Sequence, residues 1–276
     1  MNDFVPPELY GVIGYPLAQS LSPLLHTTAF RRLGLPGVLI PWPMRQEKLP
    51  EFIAAVRLLG IRGCCVTMPH KEAIIPLLDE VTERVRGIGA VNTLYRDGDK
   101  VCGENTDILG FMEPLLAEKL PGDTPVLLLG AGGSAKAAVA GLQSLGLGNI
   151  WVASRRPEQS SELAERFNLK TVTWERRGKV EAGLIVNTTA LGMRGKFEDE
   201  TGYDREWFAG KTPGIAYDIV YTPFQTRLLR EAVAEGWRAI GGLEMFLGQA
   251  DHQCRIWTGG LRLPQEARQA VIDALS

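Results

Sequence analysis

A chain of 276 residues is long for one hydrophobic core and short for three, so two domains are expected. With 45% hydrophobic residues, 22% charged residues and a net charge of -2, it has the composition of an ordinary globular protein, without the basic surface that nucleic-acid binding needs; the expected partner is a small molecule. No stretch approaches eighteen uninterrupted apolar residues and MNDFVPPELYGVIGYP carries no basic segment before an apolar run, so no membrane association is expected and cytoplasm is the expected location.

In chain order, LYGVIGYP reads as a strand ending in a glycine turn, and QSLSPLLHTTAFRRLG as a helix with Ser22 at its N-cap, Pro23 as first helical residue and Gly34 as its stop. Ser20 and Ser22 flank Leu21, so two hydroxyls and the amides of a helix start can converge on a carboxylate; a cap and a loop serine explain them equally well. VLIPWPM is a second strand, EKLPEFIAAVRLLG a helix, and IRGCCVT a third strand. Strands alternating with helices indicate a parallel α/β sheet.

The third strand stops at Thr67, and KEAIIPLLDEVTERV reads as the helix that follows, with Pro69 in its first turn. Lys71 therefore sits at a strand-to-helix junction, the edge where α/β sheets bind ligands, and at the helix end the macrodipole disfavours for a cation. It is either a solvated lysine paired with Glu72 or Asp79, or part of a site. Cys64 and Cys65 occupy adjacent strand positions and face opposite ways; with Cys102 and Cys254 they read as reduced packing residues, there being no CxxC pair. His26, His70 and His252 lack the spacing of a metal site, so no metal is expected, and His70 reads as an exposed residue at a helix start, with a general base as the alternative.

AVNTLYR and KVCGE surround Asp97-Gly98, a hairpin signal that brings Asn92-Thr93 and Asn105-Thr106-Asp107 to neighbouring strand ends. After the helix ILGFMEPLLAEKL, Pro121-Gly122-Asp123 marks a boundary. In TPVLLLGAGGSAKAAVAGLQSLGLGNIWVASRRP, Gly130, Gly132 and Ala135 satisfy G-x-G-x-x-A after an apolar strand and before an Ala-rich helix. Gly130, Ala131, Gly132, Gly133 and Ser134 then present backbone amides to a pyrophosphate. The next strand ends at Ser154, Arg155 and Arg156, about 25 positions on, near where an acid reads the NAD ribose or an arginine the 2′-phosphate of NADP. The chain reads as preferring NADP. TVTW, AGLIVNTT, GIAYDIVY and WRAIGG are further strands, ALGMRGKFEDETGYDREWF a loop, and TPFQTRLLREAVAEG, LEMFLGQADHQCRIWTG and PQEARQAVIDALS helices.

The motifs SLSP (20 to 23), VTMPHK (66 to 71), GAVNTL (89 to 94), NTDILGF (105 to 111), GAGGSAKA (130 to 137), NTTALGM (187 to 193) and YDIVYTPFQTRLL (217 to 229), with GQA and WTG near the end, resemble the shikimate dehydrogenase family over most of the chain. The resemblance implies an α/β fold of two domains with a cleft between them. A substrate-binding domain with a mostly parallel sheet would span 1 to 108, with helices 243 to 276 returning to it, and a Rossmann-like NADP domain would span 109 to 242. It implies NADPH-dependent reduction of 3-dehydroshikimate to shikimate by a monomer or homodimer, with Lys71 and Asp107 as the catalytic pair. Ser20 and Ser22 would hold the substrate carboxylate, and Thr67, Asn92, Asp107, Tyr221 and Gln249 its ring oxygens. Gly130 to Ser134 would cradle the pyrophosphate, Ser154 to Arg156 the adenosine phosphate, Ile219 and Gly242 would line the nicotinamide, and Glu83 would touch the cofactor.

The chain departs from the family pattern at Cys65, where asparagine is usual, at Ser154 for the asparagine of NRT, and at Ala190 for proline. The neighbouring expectations are a quinate/shikimate dehydrogenase, against which Ser22 and Arg155-Arg156 argue, and an NADP-binding sensor without activity, whose expected loss of the lysine or aspartate has not occurred.

Overall fold

The structure is a computed structural model and describes residues 6–17, 20–195 and 197–275; Gln19, where the first expected helix begins, and Ser276, where the last one ends, lie outside the described residues. It comprises two compact units, one of residues 1–106 and 249–276, the other of residues 107–248.

The first unit runs β1 (Glu8–Gly14), α1 (Ser22–Arg32), β2 (Gly37–Pro43), α2 (Leu49–Leu58), β3 (Gly63–Val66), α3 (His70–Ala73), β4 (Glu80–Val81), α4 (Glu83–Ile88), β5 (Thr93–Asp97) and β6 (Lys100–Glu104). Its sheet has the order β2-β1-β3-β5-β6-β4, with β1 parallel to β2 and β3, and β5 antiparallel to both neighbours. Both faces are covered, so all four residues of β3 are buried, and the alternation of strand side chains sends Cys64 into the cluster with Ile53 and Val101 and Cys65 into the one with Tyr10 and Phe30.

The second unit runs α5 (Asp107–Leu116), β7 (Val126–Leu129), α6 (Gly133–Ser144), β8 (Ile150–Ala153), α7 (Pro157–Phe167), β9 (Lys170–Thr171), β10 (Leu184–Asn187), α8 (Arg205–Phe208), β11 (Ile215–Asp218), α9 (Arg227–Ala234) and β12 (Arg238–Ile240), and reaches into α10 (Gly242–Thr258). The remainder of α10 and α11 (Gln265–Leu275) belong to the first unit, where α11 packs on α1. The second sheet is parallel throughout, in the order β12-β11-β10-β7-β8-β9. Along β7, Val126 and Leu128 enter one core while Leu127 and Leu129 enter the other, which is why the strand reads as an unbroken apolar run. The order reverses beside β7, so the carboxyl ends of β7 and β10 flank a switch point, and this strand order with a glycine turn after β7 is a Rossmann-like fold.

Five expectations need correction. The helix expected over 71 to 85 is four pieces. Pro76 cannot donate to a helix, and Asp79 pairs instead with Val101, its carboxylate accepting the Val101 amide at 2.7 Å and its own amide bonding the Val101 carbonyl at 3.0 Å. Ser22 is the first residue of α1 and Leu21 precedes it without a side-chain cap. His70 is fully buried, its Nε2 bonded to the Met44 carbonyl at 2.9 Å. TVTW contributes only Thr171 to a strand, because Trp174 begins a 3-10 turn. The expected loop from Ala190 to Phe208 contains α8, and its Tyr203 and Phe208 are core residues stacked edge to face at 4.7 Å.

Candidate active site

In the first unit the polar groups gather at one edge. The amide of Thr67 donates to the Ile13 carbonyl (2.9 Å) and that of Tyr15 to the Met68 carbonyl (3.0 Å), so the loops after β1 and β3 run side by side. A Cβ on Gly14 would stand 2.4 Å from Cγ2 of Thr67, so that approach needs glycine. Lys71, partly buried, is held by its backbone: its carbonyl accepts the Val91 amide at 2.8 Å, and the preceding His70 is anchored to Met44. Ser22 is buried and Ser20 partly so, at the start of α1.

Because β5 runs antiparallel to β3, Thr93 pairs with Cys65, and the start of β5 and the end of β6 arrive at the same edge. There Asn92 Oδ1 accepts the Thr106 amide at 2.7 Å, and Asn92 Nδ2 donates to Thr106 Oγ1 at 3.0 Å. Asn105 donates to the Ala90 carbonyl (2.9 Å), and Glu104 takes Arg84 (2.7 Å), Thr82 (2.8 Å) and the Asn105 amide (2.6 Å). The hairpin thus welds the two polar clusters into one buried network. From α10, Gln249 joins it through Oε1, 3.4 Å from both Asn92 Nδ2 and Thr106 Oγ1. Cys65 turns its thiol to Gln253 Oε1 at 3.4 Å, so the residue that replaces the usual asparagine contacts a buried glutamine. Asp107, buried, directly follows Thr106 as the first residue of α5. Glu83 is exposed on α4 and ion-paired with Arg86.

In the second unit Gly130 follows β7 with φ +103°, and a Cβ there would stand 2.7 Å from Thr188 Oγ1. At Gly132 and Gly133 a Cβ would meet no protein atom within 4 Å, so the fold itself does not demand glycine there and the space over the turn is open. Gly132 precedes α6 with no side-chain cap, leaving the first amides of a 12-residue helix, around Ala131 to Ser134, for an anion. These residues fit a dinucleotide pyrophosphate. After β8, Ser154 Oγ accepts the Arg156 amide at 3.2 Å, and Arg155 and Arg156 are exposed at the start of α7, fitting a phosphate beyond the ribose. A Cβ on Gly242 would fall 2.2 Å from the Ile219 carbonyl oxygen, so glycine lets α10 begin directly against the turn after β11. Tyr221 stacks on Phe246 at 5.1 Å.

A brace beneath that turn is absent from the sequence reading. Asp218, fully buried, accepts from Asn187 Nδ2 (2.9 Å), Thr226 Oγ1 (2.6 Å) and the Val220 amide (3.0 Å), while Asn187 Oδ1 takes the Thr189 amide and hydroxyl. Burial pushes the Asp218 carboxyl up to about 6 against the pull of those three bonds. The motifs around Asn187 and Asp218 are visible in the sequence, but nothing in one sequence says that two strand ends share a buried carboxylate. Among the described residues no group of three or more His, Cys, Asp or Glu side chains could hold a metal ion, and no helix is long and apolar enough to cross a membrane.

Residues 12–94 match the family model of the shikimate dehydrogenase substrate binding domain. The shikimate dehydrogenase (NADP(+)) of Pelobacter propionicus is 62% identical over 277 residues, covering 100% of this chain and 99% of that protein, and its counterpart from Oleidesulfovibrio alaskensis is 45% identical, covering 99% and 97%. A solved shikimate 5-dehydrogenase from Thermus thermophilus, in complex with NADP(H) and shikimate, superposes with a TM-score of 0.87 at 38% identity, covering 97% of this chain and 100% of that one. The chain belongs to the shikimate dehydrogenase family.

Proposed function

We propose that this chain catalyses the reversible NADPH-dependent reduction of 3-dehydroshikimate to shikimate, with Lys71 and Asp107 as its catalytic pair, the first unit holding the substrate and the second the nucleotide. One observation carries the pairing. The Lys71 carbonyl is bonded to Val91, and Val91 is joined to Asn92; Asn92 is bonded to Thr106, and Thr106 is joined to Asp107. Two residues 36 positions apart are thereby tied through two hydrogen bonds and two peptide bonds, so the chain segments that lead to them are neighbours.

NADPH, when bound, supplies the hydride. As the ketone carbon is reduced its oxygen gains negative charge, and Lys71 Nζ offers a positive charge and a proton to that oxygen. The Asp107 carboxylate accepts a hydrogen bond from Lys71 or from the adjacent substrate hydroxyl and orients it. Ser20 and Ser22 bind the substrate carboxylate, and Thr67, Asn92, Tyr221 and Gln249 meet its ring oxygens. Gly130 to Ser134 hold the pyrophosphate, Ser154, Arg155 and Arg156 the 2′-phosphate, and Ile219 and Gly242 the nicotinamide side, with Glu83 as a more remote cofactor contact. The four cysteines are buried and free of disulfides, which suits a reducing compartment such as the cytoplasm.

The test is absorbance of the nicotinamide band when purified protein meets shikimate and NADP+. A rise that needs both is expected; no rise, with nucleotide binding intact, would replace the enzyme by an NADP-binding protein without this activity.

A further inference from the structure

A second glutamine on α10, Gln253, lies one helical turn beyond Gln249 and on the same face. It is 1% exposed and fully engaged. Its Nε2 donates to Thr93 Oγ1 (3.0 Å) and approaches the Asn92 carbonyl at 3.4 Å; its Oε1 faces His26 Nε2 (3.1 Å) and the Cys65 thiol (3.4 Å). A backbone carbonyl only accepts, so the amide nitrogen must be the atom on that side, and the oxygen must be the one facing the imidazole.

That assignment orders the hydrogens of His26, Gln253, Thr93 and Asn92. His26 carries its proton on Nε2 and donates to Gln253 Oε1. Burial holds the His26 imidazole down, to about 4, and its other nitrogen, Nδ1, is buried without a partner, which a neutral ring tolerates and a cationic one does not. Gln253 donates to Thr93, so the Thr93 hydroxyl turns its hydrogen to Asn92 Oδ1 (2.8 Å). The Thr106 backbone amide, which only donates, pins that same oxygen at 2.7 Å. Asn92 Nδ2 therefore points to Thr106 Oγ1 (3.0 Å) and to Gln249 Oε1 (3.4 Å), while the Thr106 hydroxyl has both Asn92 Oδ1 (3.3 Å) and Gln249 Oε1 (3.4 Å) as acceptors. The chain runs from His26 through Gln253 and Thr93 to Asn92, and from Asn92 Nδ2 to Gln249.

We infer that Gln253, seated by His26, is a positioning residue: through this relay, and together with the Thr106 amide, it holds the Asn92 side chain, whose Nδ2 keeps Gln249 Oε1 turned inward so that the Gln249 amide nitrogen meets a substrate oxygen as a hydrogen-bond donor. Gln253 itself has no role in the family resemblance, and its side chain is buried among His26, Cys65, Asn92 and Thr93. The inference rests on the substrate reading of Asn92 and Gln249 given above.

The experiment is steady-state kinetics of Gln253→Met, which keeps the length and apolar volume of the side chain but neither donates nor accepts as an amide does. The KM for shikimate is expected to rise about tenfold, the worth of one well-placed hydrogen bond, with the KM for NADP+ unchanged. Thr93→Val, which breaks the relay at its middle, is expected to do the same and decides the matter if Gln253→Met does not fold. In a Gln249→Ala background, Gln253→Met is expected to add less than about twofold, because the group it acts through is gone. An unchanged shikimate KM in both variants, or the full effect repeated on top of Gln249→Ala, overturns the relay while leaving the enzyme reading standing. Absence of turnover in the unaltered protein removes the enzyme reading and the relay with it.

Discussion

The two units prepare their edges in opposite ways. In the second, backbone does the work: Gly130 at φ +103°, the open space over Gly132 and Gly133, and the 2.2 Å that a Cβ on Gly242 would leave to Ile219 O are all statements about missing side chains. In the first, side chains do it, through buried amides and hydroxyls drawn from positions up to 161 residues apart. A site made of glycines binds what any dinucleotide presents, a pyrophosphate; a site made of directed amides distinguishes one arrangement of ring oxygens from another. The first unit's edge rests on directed side chains, the second's on open backbone with two exposed arginines beside it.

The hardest way to break that comparison is to remove the one cation assigned to the reacting oxygen. Lys71→Ala is expected to lower kcat by about 10² to 10⁴-fold with a much smaller rise in the shikimate KM, because the charge it answers develops only in the transition state. Pre-steady-state and steady-state assays with saturating NADP+ measure this. An unchanged kcat would strip Lys71 of its part and leave it a solvated lysine of α3.

This contrast also explains what is legible in the sequence. The glycine turn is local: three positions of fixed spacing, after an apolar strand, already carry the geometry, and the all-parallel sheet follows from the alternation of strand and helix. The network of the first unit is not local. Asn92, Thr106, Gln249 and Gln253 each look like turn or helix-surface residues until the antiparallel β5 and β6 and the return of α10 bring them together. Asn187 and Asp218 are hidden for the same reason. The helix after Lys71 reads as unbroken because Asp79 counts as a neutral helix residue in sequence but as a partner of Val101 in the fold. His70 reads as exposed because nothing near it in sequence says that Met44 offers a carbonyl.

A second test sets the units against each other with pH. His26 in the first unit is held neutral, its imidazole lowered from 6.5 to about 4 by burial. The unfolded chain then binds the extra proton first, so this contribution to stability is full above pH 6.5 and is lost as pH falls toward 4, on the order of 3 kcal/mol in all. Asp218 in the second unit is raised from 3.8 to about 6 by burial, so the folded chain holds its proton longer; its contribution is full below 3.8 and is lost as pH rises through 6, by about 3 kcal/mol. Between pH 4 and 6 the two oppose one another. Denaturation curves across that window are expected to show His26→Gln losing less stability in acid than the unaltered protein, and Asp218→Asn losing more. If all three fall in parallel, neither burial has the energetic weight assigned to it.

The smallest expected effect probes the two exposed arginines at the start of α7 in the second unit. Arg155 and Arg156 are exposed, so each ion pair with a 2′-phosphate is diluted by water, and Arg156 is partly committed through its backbone to Ser154. Arg155→Ala is therefore expected to raise the KM for NADP+ by about tenfold, within the range of a hydrogen bond to a charged group, while leaving the KM for NAD+ where it was. Salt separates this from the first unit's chemistry. Raising ionic strength shortens the Debye length to about 3 Å at 1 M, so the NADP+ preference of the unaltered protein is expected to shrink toward that of Arg155→Ala, whereas the shikimate KM, to which the buried Asn92 and Gln249 amides contribute, is expected to change less. Equal losses for both nucleotides, or a shikimate KM that follows salt as steeply as the NADP+ KM does, would mean that selectivity in the two units is not divided between exposed charge and buried hydrogen-bond direction.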